Sequence, residues 1–375
     1  MYINKTIAER NWKGLKSQIG IENMTRLTIA ISVYNRRKTF ERMLSSLLRS
    51  KMDFDDLTIN IRIYDDCSDE FTENEIKDAF PYKIDYYRHD KNRGADYNMG
   101  FVYRDFLDKG DDILFNADSD LIYDENWLSA VLDYLPQTDG VLSLFNTPAH
   151  PFGRMEGELG IKDTVGNAGT AMTRSTVEMI CNNIKETESY NSLDWNWCGL
   201  LQSKGKKIYC TTRSYVQHIG IDGFNSGKGV MDIGENFDVN SLTNGRILGD
   251  VLFEYVSDMN TSRSEKRTFY YLFPYDKVPY GSRVVIYGAG VVGRDYLKQI
   301  ELCDYCKEIV CVDKNYDKHV NVCNPDILKT IDCDFVVIAA NLLHIRNEMK
   351  RDILELNPLL DEKLVDISPR IFRYY

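Results

Sequence analysis

The chain has 375 residues, 43% apolar and 27% charged, which excludes wholesale disorder and fibrous repeats and is long enough for two cores of unequal size. A formal net charge of -11, with no compact Lys/Arg block, argues against nucleic acid as a partner. The opening MYINKTIAERNWKGLK lacks the apolar run of an export signal and no stretch has the length and apolarity of a membrane span, so a cytoplasmic protein is expected.

In chain order, TIAISVY (28–34) puts Ile29, Ile31 and Val33 on one face, the period of a strand. Phe40, Met43, Leu44, Leu47 and Leu48 then recur at helical spacing, a stripe for packing on a sheet. TINIRIY alternates Ile59, Ile61 and Ile63 and runs into the acidic turn Asp65-Asp66-Cys67-Ser68-Asp69. A strand at KIDYYRH, a helix over 97–107, a strand over 112–116 and a helix over 125–135 continue the alternation. The expected fold class is therefore α/β, a mostly parallel sheet flanked by helices. Ligands on such sheets gather at the carboxyl ends of the strands, where Asp65/Asp66 and Asp118/Asp120 both fall. Residues 220–236, GIDGFNSGKGVMDIGEN, hold five glycines and predict a mobile loop that orders over a ligand. A polar stretch, SDMNTSRSEKR, reads as a connection. The expected organisation is an extension 1–24, a first domain 25–258, a linker 259–280 and a second domain 281–375.

Asp118-Ser119-Asp120 directly follows the apolar strand ILFNA. Two carboxylates at i and i+2 of an extended segment point the same way and can share one hard divalent cation, Mn2+ or Mg2+, with a diphosphate. Such a cation neutralises the charge that grows as a sugar–phosphate bond breaks. Asp53-Phe54-Asp55 and Asp332-Cys333-Asp334 have the same spacing but lie at the wrong ends of their strands, so position singles out the pair at 118 and 120. A solvated acidic turn is the alternative.

Five segments in this order, TIAISVYNRR, IRIYDDCSDE, HDKNRGADYNMG, FNADSDLIYDENWL and SLDWNWCGLLQSKGKKIYCTTRSYVQHIG, resemble the family-2 glycosyltransferases of the GT-A fold. The resemblance covers Leu27 to about Gly223, roughly half the chain. It implies transfer of a hexose or N-acetylhexosamine from a nucleotide-sugar donor to a saccharide or lipid-linked saccharide acceptor, in bacterial surface polysaccharide synthesis, by a protein that is cytoplasmic or peripheral at the inner face of the membrane. Ser32, Val33, Tyr34 and Asp66 would cradle base and ribose. Asp66 can accept from a pyrimidine imide and Tyr34 can stack, which favours a UDP-sugar, although Tyr34 also suits core packing. Asp118 and Asp120 would serve ribose and metal, His218 would be a third metal ligand, and Arg36 would lie near the phosphates. Asp194 matches the family's general base, with helix capping as its alternative. Trp195 and Trp197 are either sugar platforms or core. The segment 92–100 departs from the family pattern, carrying Asp96 and Tyr97 with no arginine beside Asn98, and no donor contact is assigned there. With no evident nucleophile on the opposite face, inversion is expected.

RVVIYGAGVVGRDYLKQI runs from a strand through Gly288, Gly290 and Gly293 into a helix, and IVCVDKN supplies a second strand ending in Asp313, the context of a Rossmann-like fingerprint. A second nucleotide site for NAD or another nucleotide, a homo-oligomer contact and a fold without ligand all stay open, because close strand–helix packing alone can demand those glycines. The 95 residues from 281 lack a Tyr-x-x-x-Lys dyad, which disfavours a nucleotide-sugar oxidoreductase, and a scaffold built on an inactive transferase would have lost an acidic position. The nine cysteines read as small buried hydrophobes, and Cys303/Cys306 lacks the second pair a zinc site needs.

Overall fold

The computed structural model of the chain describes residues 24–147, 150–184, 192–220, 234–237, 251, 269–275, 277–279, 281–302 and 305–373. Two compact units divide it, Met1–Gly220 and Ile221–Tyr375. The extension 1–24 lies outside the described residues except for Met24, as does most of the glycine-rich loop 220–236.

In the first unit, β1 (Thr25–Val33) lies between β2 (Leu57–Asp65) and β4 (Ile113–Asp118), parallel to both. The strand β3 (Asp85–Arg88) adds to β2 in the same direction. This parallel half has the expected source: alternate residues of β1 serve two cores. Leu27, Ile29, Ile31 and Val33 are buried against α1 (Arg37–Leu47) through Phe40, Met43, Leu44 and Leu47. Leu48, expected in that stripe, is exposed because it caps the helix. On the other face Ala30, Tyr64 and Leu114 pack with Val102, Tyr103 and Phe106 of α3 (Ala95–Lys109). Each such aliphatic side chain contributes about 1.5–3 kcal/mol by leaving water.

Beyond β4 the sheet becomes mixed. It continues through β9 (Thr170–Thr173), antiparallel to β4, then β6 (Val141–Ser143), β10 (Ile208–Thr211) and the hairpin β7 (Phe152–Glu156) and β8 (Leu159–Lys162), giving nine strands. Residues 144–169, between β6 and β9, thus contain that hairpin. The helices α2 (Glu73–Ala79) and α4 (Trp127–Tyr134) pack into the core shared with α1, and α5 (Arg174–Asn183) and α6 (Leu193–Ser203) cover the same face as α3. A separate two-stranded ribbon, β5 (Leu121–Tyr123) with β11 (Val216–His218), ties the turn after β4 to a segment far along the chain. At the opposite end of the sheet, Arg62 donates to Asp111 at 2.5 Å and to Thr28 at 2.9 Å, all three buried.

In the second unit, β13 (Arg283–Tyr287) is flanked by β14 (Glu308–Val312) and β15 (Phe335–Ile338), and β16 (Leu364–Val365) extends the sheet, all parallel. The helix α7 (Val291–Leu302) follows β13 and α8 (Leu343–Leu356) follows β15. Part of the expected linker 259–280 belongs to this unit: β12 (Phe269–Leu272) pairs antiparallel with β17 (Arg370–Arg373), and its amides at Tyr271 and Phe273 donate to Asp295 and Gln299 of α7. The strand, FYYL, lies just beyond the polar stretch that reads as a connection, and its hydrogen-bond partners come from the far end of the chain.

Among the described residues no helix is long and apolar enough to cross a membrane. The described cysteines are free thiols, Cys198, Cys210, Cys306, Cys311 and Cys333 buried and Cys67, Cys181 and Cys323 partly so.

Candidate active site

Strand register brings the acidic turns together. Ser32 is paired with Tyr64 on one side and Asp118 on the other, so the carboxyl ends of β2, β1 and β4 finish level with one another. The chain then leaves β1 through Asn35 and Arg36, both left-handed with φ of 50° and 62°. Such a conformation is uncommon without glycine, and it is held here from outside: the Asn35 amide donates to the Ser68 hydroxyl at 2.8 Å, and its side-chain oxygen accepts the Asp69 amide at 2.6 Å.

Arg36 donates from Nη1 to Asp120 Oδ2 at 2.8 Å. From the ribbon, His218 sets Nε2 3.2 Å from Asp120 Oδ1, a close ionic contact without hydrogen-bond alignment. The Ile219 amide donates to the Asp120 carbonyl, which closes the ribbon onto the turn. Gly220 completes the contact, since a Cβ there would lie 2.2 Å from Asp120 Oδ2, 2.8 Å from His218 Cε1 and 3.0 Å from Arg36 Nη2. Two distant segments, at Arg36 and at His218–Gly220, thus meet at Asp120. Arg36, expected near phosphates, is paired with Asp120.

The two aspartates differ in charge state. Burial and the neighbouring Asp120 and Asp194 charges push Asp118 up to about 7, against the pull of His218 and Arg36. Burial also opposes ionisation of Asp120, but His218 and Arg36 outweigh it and hold that carboxyl far below the usual range. For His218 burial disfavours the imidazolium, yet Asp120 and Asp118 raise its pKa overall. Ser32 Oγ and Asp120 Oδ1 are buried with no hydrogen-bond partner. Among the described residues no three His, Cys, Asp or Glu side chains converge as a ready-made metal cluster.

On the donor side Tyr34 is 45% exposed, so its ring is not core. Val33 is buried and its carbonyl accepts the Asp66 amide at 2.9 Å, leaving it a structural part. Asp66 accepts the Arg93 amide at 2.7 Å and the Gly94 amide at 2.8 Å, one on each oxygen, and burial raises its pKa despite these bonds. Each oxygen keeps a lone pair for a further donor.

Asp194 occupies the first turn of α6, close enough to Asp118 for its charge to raise the Asp118 pKa. Its own pKa is raised, first by burial and then by Asp96, against the Trp195 amide bond and His150. It is not the cap: Ser192 holds that position, and the amides of Ser192 and Leu193 go to Asp96. Trp197 is fully buried and is core, whereas Trp195 is 56% exposed with its ring 5.8 Å from that of His150.

The other two Asp-x-Asp pairs are elsewhere. Asp53 and Asp55 are exposed, and Asp332 and Asp334 clasp Arg283. In the second unit the glycine turn follows β13 as expected. A Cβ on Gly293 would lie 1.8 Å from the Gly288 carbonyl oxygen, and one on Gly288, at φ 120°, would lie 2.9 Å from that of Ala339, so packing requires both. Gly290 faces open space. Asp313 accepts the Ala289 amide of the glycine turn at 2.7 Å and the Asn315 amide of its own turn at 2.8 Å. The contacts of Gly220 and Asp96 are not visible in the sequence, since their partners lie far along the chain.

Residues 28–181 match the family model described as glycosyl transferase family 2. Comparison with curated proteins gives no match. Among solved structures the chain is similar to residues 1–349 of TarS from S. aureus, at 12% identity and a TM-score of 0.39, over 61% of this chain and 65% of that one. It is similar at 12% identity and a TM-score of 0.43 to GalNAc-T7 with UDP, GalNAc and Mn2+, over 53% of this chain and 44% of that one. The mannosyltransferase PcManGT from Pyrobaculum calidifontis, with GDP-Man and Mn2+, aligns at 11% identity and a TM-score of 0.39, over 68% of this chain and 73% of that one. The first two alignments span less than two thirds of those structures' own lengths. The family match runs from β1 through the Asp118–Asp120 turn into α5, so the stretch that carries the acidic strand ends is similar to glycosyl transferase family 2.

Proposed function

We propose that the chain transfers a sugar from a nucleoside diphosphate, a UDP-sugar, to a saccharide hydroxyl with inversion, in the assembly of a bacterial surface polysaccharide. The observation that carries this is the meeting of Arg36, Asp120, His218 and Gly220 beside a strained Asp118 at the strand ends, with Asp194 within electrostatic reach. Burying two carboxylates together is costly unless a ligand compensates, and such sites are functional candidates.

The residues fit a divalent cation: a hard oxygen pair, an imidazole, and a buried Asp120 oxygen lacking a hydrogen bond. Held by Asp118, Asp120 and His218 and completed by phosphate oxygens, it would neutralise charge on the departing diphosphate. Arg36 stands ready to move from Asp120 to a phosphate oxygen, a bidentate partner for which guanidinium is suited. Ser32 Oγ, unsatisfied beside Asp118, can donate to the ribose. Tyr34 offers an exposed ring and Asp66 a lone pair to a uracil imide. Asp194, its pKa raised by burial, takes the proton of the attacking hydroxyl; a base is most effective when its pKa approaches the working pH. Trp195 then provides an apolar face beside that hydroxyl.

A panel of UDP-, GDP- and dTDP-sugars, each with MnCl2 or EDTA, tests the reading by donor turnover and thermal shift. UDP-sugars with MnCl2 should raise the melting temperature and be consumed. No response to any of them would remove the proposal, and retention of the donor's anomeric configuration in the product, seen by proton NMR, would remove inversion.

A further inference from the structure

Asp96 lies in the first turn of α3, yet its carboxylate is spent on another helix. Oδ2 accepts the Ser192 amide at 2.8 Å and Oδ1 the Leu193 amide at 3.0 Å. These are amides at the start of α6, groups that a helix cannot satisfy from within. Ser192 is a residue type that normally caps its own helix, but its side chain makes no such bond here. A carboxylate from a distant segment replaces it, with the stronger charge-assisted bond and the favourable sense of the helix dipole.

The start of α3 is itself captured. Just ahead of Asp96, the Arg93 and Gly94 amides donate to Asp66 at 2.7 and 2.8 Å. One carboxylate from the end of β2 therefore holds the turn that carries Asp96, and Asp96 holds the turn that carries Asp194. A purely local cap would also stabilise α6, but it would leave the helix start free to shift relative to the sheet.

We infer that Asp96 is the positioning residue for the Asp194 carboxylate, fixing the start of α6 to the Asp66-held turn so that the donor side and the proton-accepting side form one hydrogen-bonded unit. This rests on the reading of Asp194 as the base. Asp96 touches no reacting atom in that arrangement; it holds the backbone of Ser192 and Leu193, and its charge also adds to the raised pKa of Asp194.

The test uses the full chain with MnCl2 and whichever UDP-sugar the panel shows to be consumed. Asp96→Ala should lower kcat about tenfold while KM for the donor stays within about twofold, and Asp96→Asn, which keeps one accepting oxygen, should fall between it and wild type. Added to Asp194→Asn, either change should cost no further rate, because residues acting as one unit are not additive. Amide hydrogen exchange over residues 192–197 should quicken in Asp96→Ala and stay at the wild-type rate in Asp194→Asn. If Asp96→Ala fails to fold, Asp96→Asn carries both measurements. Losses that multiply in the double variant, an unchanged kcat, or unchanged exchange each overturn the inference. Wild-type protein that consumes no UDP-sugar would remove the base assignment itself, a result read before any variant is made.

Discussion

Asp118 and Asp120 are neighbours of one type with opposite electrostatic fates, and the difference is testable. Between the ordinary carboxyl value of 3.8 and about 7, the folded chain keeps a proton on Asp118 that the unfolded chain releases. The stability from that group therefore declines as pH rises through this window. In metal-free buffer at pH 8, Asp118→Asn should raise the calorimetric melting temperature by roughly 2–4 °C, and with MnCl2 restored it should lower transfer by about two orders of magnitude. A lower melting temperature would contradict the charge assignment. Asp194 has a raised pKa from burial, so the acid limb of kcat should lie above the 3.8 of an ordinary aspartate and vanish in Asp194→Asn; a limb at or below that value would count against it as the base. Gly220→Ala forces a methyl to within 2.2 Å of Asp120 Oδ2, so it should cut kcat about tenfold or more with little change in fold, checked by circular dichroism beside the rate.

Elements deliver these residues by pairing rather than by proximity in sequence. The β5–β11 ribbon sets His218 opposite Leu121, and only that register places the imidazole on Asp120. At the far end of the sheet, the buried Arg62–Asp111 pair fastens β2 to the turn before β4, which fixes the level at which both strands end. Removing one partner leaves a buried charge, so Arg62→Ala should cost about 3–5 kcal/mol in denaturant unfolding, whereas UDP affinity of the folded fraction should hold. A loss below about 1 kcal/mol would mean that solvent reaches Asp111.

At the scale of the molecule, two units with separate cores imply two thermal transitions. Gly293→Val puts a side chain into the Gly288 carbonyl, so it should lower one transition, while UDP with MnCl2 shifts only the other. Coincident shifts of a single transition would show that the units unfold together. The sequence by itself determined the parallel α/β half, the strand ends that carry Asp66 and Asp118, and the glycine turn of the second unit, because period and turn chemistry are local. It could not reveal the antiparallel strands β7 to β9, the strand inside the expected linker, the core role of Trp197, or that Asp96 caps α6. Those depend on which distant backbone supplies each hydrogen bond and which face is covered. Tertiary structure alone decided that Arg36, His218 and Gly220 would close on one carboxylate, since no local pattern encodes an encounter between segments so far apart.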